Sequence, residues 1–124
     1  MNIGKTGQEG EKGVANYLRN KGFSVIKRNY TCKYGEIDII AQSKEYILFV
    51  EVKTRKEASL ISGSEAVDAF KRARIIKTAE DFLSKTDCTL QPRFDVAEVT
   101  VFKKSDGRDG YKLHYIKNAF LGVF

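Results

Sequence analysis

Two carboxylates and a lysine in the middle of the chain could together hold a divalent cation and position a water. Asp38 is followed thirteen positions later by Glu51, and Lys53 comes two residues after that. Neighbouring carboxylates repel each other unless a cation lies between them, and their oxygens suit Mg²⁺ or Mn²⁺. The carbonyl of Val52 can complete the ligand shell, and Lys53 can orient or deprotonate a water and stabilise charge on a phosphate.

The hydrophobic pattern predicts that these residues lie on neighbouring β-strands. Three strands are predicted at Ser24–Tyr30, Glu36–Gln42 and Tyr46–Arg55, with short connections that favour an antiparallel meander. The third is apolar on both faces, which is typical of a central strand covered on both sides. Glu51 continues one of these apolar faces, and the short connection makes Asp38 its expected cross-strand neighbour.

A predicted first helix contributes a further acidic candidate, Glu11. The helix runs from about Thr6 to Lys21, and its apolar stripe contains Val14, Ala15 and Leu18. On a helical wheel Glu11 falls in the middle of this stripe. A carboxylate on the buried face of a helix needs a partner, because an unpaired buried charge is costly.

The rest of the pattern completes a single α/β domain over residues 1–124, with the order α-β-β-β-α-β-β and a mixed sheet flanked by helices. The further predicted elements are a loop at 56–64, a turn at Ser64–Val67, a long helix with Asp68 as its N-cap, strands at Arg93–Phe102 and Tyr111–Ile116, and a terminal turn at Asn118–Leu121.

The candidate site also has a purely structural interpretation. Glu51 and Lys53 can be a satisfied ion pair on a buried strand, and their spacing with Asp38 often arises by chance. Three observations favour the metal site over this alternative. The third strand is of a buried type, Asp38 lies among isoleucines, and Glu11 faces the core.

The chain resembles the YraN family of small bacterial proteins, which is assigned to the PD-(D/E)XK nuclease superfamily and is distantly similar to archaeal Holliday-junction resolvases. The matching stretches span almost the whole chain in order. They are GQEGE at Gly7–Glu11, GEIDIIA at Gly35–Ala41, FVEVKTR at Phe49–Arg55, SEAVD at Ser64–Asp68, RFDVAEV at Arg93–Val99 and NAF at Asn118–Phe120.

This resemblance implies a restriction-endonuclease-like core in which Asp38 and Glu51 bind the metal and Lys53 assists the attacking water. In the resolvase-like members an acidic residue on the first helix joins the site, and Glu11 corresponds to it. Ile37 stands where the superfamily's nominal proline would be. Resolvases that cut two strands symmetrically tend to be dimers, which makes a homodimer the candidate assembly.

Several basic residues are candidates for nucleic-acid binding. Arg55 extends the face of Lys53 and is either a phosphate contact or a solvated strand end. Lys71, Arg74 and Lys77 form a ridge opposite the apolar stripe of the long helix, where it can follow a phosphate backbone. A charged solvent face is the more common meaning of such a ridge.

Two other polar residues carry no assigned role in the sequence. Asp95 on the fourth strand is either structural or close to the site, and the pattern does not decide between these. His114 is the only histidine and is expected to be an ordinary sheet residue. Catalysis by a histidine base is therefore not expected.

Composition points to a cytoplasmic protein with a polyanionic partner. The net charge is +6 and the isoelectric point about 9.3, which favours phosphates, although it also suits a merely solubilising surface. The polar start is no signal peptide, and the longest apolar stretch, Tyr46–Val50, is too short to cross a bilayer. Cys32 and Cys88 are isolated, so we expect reduced thiols and no zinc site.

These features predict a metal-dependent phosphodiesterase, an endonuclease acting on DNA, with branched or junction DNA as the favoured substrate. The alternative is a catalytically weak or inactive nucleic-acid-binding module of a repair or uptake complex. The presence of the acidic residues favours the enzyme, since a binding module does not need them. Cleavage of RNA is a third, weaker option, because no feature of the sequence distinguishes ribose from deoxyribose.

Overall fold

The computed structural model describes residues 3–57 and 69–122. For residues 3–7 it describes the backbone alone. Its elements are α1 (Ile3–Asn20), β1 (Ser24–Cys32), β2 (Gly35–Gln42), β3 (Tyr46–Lys56), α2 (Ala69–Ser84), β4 (Gln91–Lys103) and β5 (Asp109–Phe120). The predicted order α-β-β-β-α-β-β is confirmed. The predicted turn at Ser64–Val67 and the N-cap Asp68 lie outside the described residues.

One mixed five-stranded sheet forms the centre, with the strands in the order β1-β2-β3-β4-β5. The first three strands form the predicted antiparallel meander, and β4 and β5 form the predicted hairpin. Strand β4 runs parallel to β3, as a strand does after a crossover that contains a helix. This architecture agrees with the expected restriction-endonuclease-like α/β core.

The predicted terminal turn at Asn118–Leu121 is wrong, because β5 continues to Phe120. The chain does kink at Asn118, which adopts a left-handed φ of 51°. The strand then resumes because Phe120 pairs with Phe94, and their rings stack with centroids 5.0 Å apart. Burial of a second aromatic ring therefore outweighs the local preference of asparagine for a turn.

Strand β3 is buried on both faces, as its composition predicts. Ile47 and Phe49 face α2, whereas Leu48 and Val50 belong to the cluster that packs against α1. Because side chains alternate along a strand, Glu51 continues the α2 face of β3. Within residues 3–57 and 69–122, no helix is both long and apolar enough to span a membrane.

A close approach between α1 and β3 sets the position of the first half of α1. A Cβ atom on Gly10 would lie 2.5 Å from Oγ1 of Thr54 on β3. Only glycine therefore permits this contact without a shift of the threonine. Glu11, the next residue along the helix, takes its position from the same contact.

Gly10→Ala is expected to lower the free energy of unfolding by about 1–2 kcal/mol, because overpacking exceeds the gain in helix propensity. Gly13 is the matched control, since a Cβ there meets nothing within 4 Å. Gly13→Ala should raise stability by roughly 0.5–1 kcal/mol. Urea unfolding monitored by circular dichroism measures both changes. Equal stabilisation by the two substitutions would contradict the close contact.

Candidate metal centre

Strands β2 and β3 separate at the two candidate metal ligands. The last registered pair between them is Ile39 with Val50, so the next opposed residues are Asp38 and Glu51. Beyond this point β2 stays paired with β1, while β3 continues beside β4. The sheet therefore forks between the two carboxylates.

A cavity of about 360 Å³ opens at this fork, beneath the beginning of α2. Asp38 and Glu51 both line it, together with Gly35, Glu36, Phe70, Lys71, Arg74 and Ile75. Carboxylates from two strands and cations from a helix thus share one concave surface. Such a concave, charged site on a rigid sheet is a reasonable location for ligand chemistry.

The environment of Asp38 opposes its negative charge. Burial, and next the charge of Glu51, raise its pKa from 3.8 to about 7. The main-chain N–H of Val52 acts in the opposite direction, since it donates a hydrogen bond of 2.7 Å to Oδ2 of Asp38. This bond orients the carboxylate. The second oxygen, Oδ1, is the one we expect to bind a cation.

The carboxylate of Glu51 has a cation as its partner. The Nζ atom of Lys71 lies 2.6 Å from Oε1 of Glu51, whose side chain is largely buried. Positive charge is therefore favoured at this point of the cavity. A metal bound between Asp38 and Glu51 would displace or rearrange the ammonium group of Lys71.

The two carboxylates fit a magnesium-type site better than a site made of protein ligands alone. Among the described residues, no group of three or more histidine, cysteine, aspartate or glutamate side chains could hold a metal ion. Mg²⁺ commonly takes one or two carboxylates and completes its octahedron with waters and substrate phosphates. Asp38 and Glu51 offer a donor set of this kind.

Lys53 lies close to the fork but does not line the cavity. Its pKa is lowered by burial first, and then by the positive charges of Arg55 and Lys71. Glu51 and Glu98 act in the opposite direction, and Glu98 is the neighbour of Lys53 in the parallel register of β3 and β4. The structure thus places Lys53 near Arg55 and Glu51, while both basic residues stay outside the cavity wall.

Glu11 lies on the α1 side of the fork and outside the cavity wall. Its Oε1 is 3.4 Å from Nη2 of Arg28 on β1, which supplies the partner that a largely buried carboxylate needs. Burial raises the pKa of Glu11 in spite of Arg28. Its charge in turn contributes to the raised pKa of Asp38, so the two carboxylates influence each other across the fork.

The predicted basic ridge on α2 divides between the cavity and the β1–β2 hairpin. Lys71 and Arg74 line the cavity beside the buried Ile75. Arg74 Nε also donates a hydrogen bond of 3.1 Å to the carbonyl of Tyr34. Lys77 lies further along, with its Nζ 5.9 Å from the centre of the Tyr34 ring.

Sequence reasoning missed two acidic residues near the site. Glu36 lines the cavity, and its charge raises the pKa of both Glu11 and Asp38. Its position two residues before Asp38, on the same strand, was a signal that could have found it. Glu98 could be found only through the parallel pairing of β3 and β4, which no local pattern reveals.

Asp95 is a structural residue and not a member of the site. It is fully buried and accepts hydrogen bonds from the guanidinium of Arg93, the hydroxyl of Tyr115 at 2.6 Å and the main-chain N–H of Asn118 at 2.9 Å. All of these partners belong to β4 and β5. The buried carboxylate therefore ties the final hairpin together, as satisfied buried charges do.

Comparison with known proteins identifies similar chains over nearly the whole length. The pattern of the family described as "Uncharacterised protein family UPF0102" matches residues 10–99. A UPF0102 protein of Caldanaerobacter subterraneus subsp. tengcongensis is 40% identical over 121 residues, which cover 97% of this chain and 98% of that protein. A UPF0102 protein of Clostridium acetobutylicum is 41% identical over 117 residues, covering 94% and 93% of the two chains. One from Alkaliphilus metalliredigens is 42% identical over 115 residues, covering 92% and 96%.

Proposed function

Because the chain belongs to the UPF0102 family, the YraN family that its motifs resemble, we propose that it is a metal-dependent phosphodiesterase, an endonuclease acting on DNA. The observation that carries this proposal is the fork, where Asp38 and Glu51 face one cavity with cations around it. Mg²⁺ or Mn²⁺ is the proposed cofactor. Branched or junction DNA is the proposed substrate, and a homodimer would suit symmetric cutting.

Four polar groups at or beside the fork have a task in this proposal. Asp38 and Glu51 hold the metal, which when bound would neutralise the scissile phosphate and make a coordinated water more acidic. Lys53 orients the attacking water, and its lowered pKa makes exchange of a proton with that water easier. Arg55, on the same strand, neutralises the phosphate backbone beside it.

A second candidate function is a catalytically weak or inactive nucleic-acid-binding module. The contact between Lys71 and Glu51 favours it, because an ammonium group can serve as the permanent counter-charge of the carboxylate. The enzyme requires Lys71 to release Glu51 when the metal enters. The partly buried Lys53 favours the enzyme, since a binding surface gains little from a lysine whose pKa is lowered.

A cleavage assay on linear, flapped and four-way DNA separates the two functions. We expect cutting of the branched substrates with Mg²⁺ and Mn²⁺ but not with EDTA. Ca²⁺ should support binding without fast cleavage, because it is larger and looser in its coordination. Binding of every substrate without cutting in any metal would leave the binding module as the function of the chain.

Glu11→Gln is expected to lower cleavage about tenfold, the usual scale for groups that act through a metal's first ligands. Arg28→Gln is the matched control, because it breaks the same ion pair and keeps the carboxylate. Arg28 keeps its end of the pair partly in solvent, so the pair contributes at most about 1 kcal/mol to stability and both variants should fold. Single-turnover rates measure the difference. Equal rates for the two variants would make the ion pair, and not the carboxylate, the important feature.

A further inference from the structure

An exposed aromatic residue lies in the wall of the candidate metal cavity. Phe70 on the first turn of α2 is 75% exposed, and it lines the same cavity as Asp38 and Glu51. Exposure of a large apolar ring to water does not stabilise the fold. Its exposed face is therefore available to any ligand that enters the cavity.

A second exposed ring lies at the tip of the β1–β2 hairpin, next to α2. Tyr34 is 36% exposed, and two ammonium groups approach its ring, one from the neighbouring residue in the turn and one from α2. Lys33 Nζ lies 5.1 Å from the ring centre, and Lys77 Nζ lies 5.9 Å from it. Both distances are within the range of cation–π attraction.

Arg74 connects the two rings. Its Cζ lies 6.0 Å from the centre of the Phe70 ring, and its Nε donates to the carbonyl of Tyr34. Phe70, Arg74 and Lys77 also follow one another at helical spacings of four and three residues, which places them along one side of α2. Rings and cations thus alternate from the cavity outward, and we name this surface the aromatic strip (Phe70, Arg74, Tyr34 and Lys77).

We infer that the aromatic strip binds an unpaired strand of nucleic acid next to the metal centre. Bases of a single strand expose their flat faces to aromatic rings, while their phosphates can meet the cations between the rings. A continuous duplex keeps its base faces stacked and hidden. This inference deepens the proposed function, on which it rests for the chemistry at the fork. It specifies substrates that have a single-stranded segment beside the scissile phosphate.

Tryptophan fluorescence tests this inference without any cleavage. The chain contains no tryptophan, so Phe70→Trp introduces a single reporter within the strip. Titration with oligothymidylate in EDTA should quench this reporter strongly, because stacked bases quench indole fluorescence, and blunt duplex should quench it weakly. Tyr111→Trp is the control reporter, since Tyr111 is 42% exposed on β5 and is not part of the strip. Its fluorescence should not change.

Affinity measurements on leucine variants give an independent readout. Phe70→Leu and Tyr34→Leu remove the ring but keep apolar bulk. Each should weaken binding of oligothymidylate by roughly 5- to 140-fold, since stacking contributes about 1–3 kcal/mol per base. Tyr111→Leu should leave the affinity unchanged. The affinity for oligouridylate of the same length shows whether the strip prefers DNA or RNA. A loss of affinity for either oligonucleotide in the leucine variants supports the strip.

The outcomes for the strip and for the nuclease can be told apart. Quenching of the Phe70→Trp reporter without cleavage of any DNA would support the strip and refute the nuclease. Cleavage that is equal in wild type and both leucine variants, with no quenching, would refute the strip alone. Failure of wild-type protein to bind any single strand would also refute the strip.

Discussion

Asp38→Asn and Glu51→Gln should each reduce Mg²⁺-dependent cleavage of branched DNA by at least about 10³-fold, because each removes a negative ligand of a metal that supplies most of the catalysis. Both substitutions keep the size of the side chain, and the amide oxygen introduced by Asp38→Asn can still accept the N–H of Val52. DNA binding should persist or tighten, since less negative charge faces the phosphates. Rates come from single-turnover assays, and affinities come from anisotropy in Ca²⁺.

Glu45→Gln is the matched control for these substitutions. Glu45 is exposed just before β3 and lies outside both the cavity at the fork and the aromatic strip. The control removes the same charge from the protein as Glu51→Gln, so any general electrostatic effect on DNA binding appears in both. Wild-type rates in Asp38→Asn or Glu51→Gln would show that the fork is not the site of cleavage. Equal loss in Glu45→Gln would point to a general effect of charge.

Asp38→Asn should also change the free energy of unfolding. Relative to wild type, we expect the variant to be more stable without metal and less stable with Mg²⁺ bound. The pKa of Asp38 is about 7 in the folded protein and 3.8 as its ordinary value. The folded state therefore holds this proton more tightly, and stability falls as pH rises through the window between these values. Above pH 7 the ionised carboxylate destabilises the metal-free fold in full.

Asp38→Asn should therefore stabilise the metal-free protein at pH 8 by roughly 2–4 kcal/mol, and the gain should shrink towards zero near pH 4. Saturating Mg²⁺ should reverse the order, because it stabilises only the protein that binds it. Urea unfolding at both pH values, with and without Mg²⁺, measures these differences. Asp87→Asn, at an exposed position, serves as the control. A variant less stable than wild type at pH 8 without metal would contradict the strained carboxylate.

The opposition of Asp38 and Glu51 could be predicted because it depends on local rules. Short connections make consecutive strands antiparallel neighbours, and period-two alternation then determines which residues face each other. The apolar composition of β3 on both faces likewise indicated its central position in the sheet. For Glu11 the helical wheel predicted the correct burial, but it could not identify Arg28 as the partner.

The remaining contacts at the site could not be predicted because they join segments far apart in the chain. Lys71 reaches Glu51 across the crossover between β3 and β4, and Glu98 neighbours Lys53 only through their parallel pairing. A helical wheel gives the face of a residue but not the reach of a long lysine side chain. The aromatic strip has the same origin, since Tyr34 meets Lys77 only after α2 packs beside the hairpin.

Binding of Mn²⁺ to the protein–DNA complex, measured by electron paramagnetic resonance, tests the central claim that Asp38 and Glu51 form a divalent-metal centre. Mn²⁺ suits the same oxygen ligands as Mg²⁺ and is directly visible by this method. Ions held by the DNA alone contribute equally to every sample, so the comparison between proteins isolates the centre. We expect wild-type complexes to bind Mn²⁺ that Asp38→Asn and Glu51→Gln complexes each lack. Identical Mn²⁺ binding by all three complexes would contradict the account.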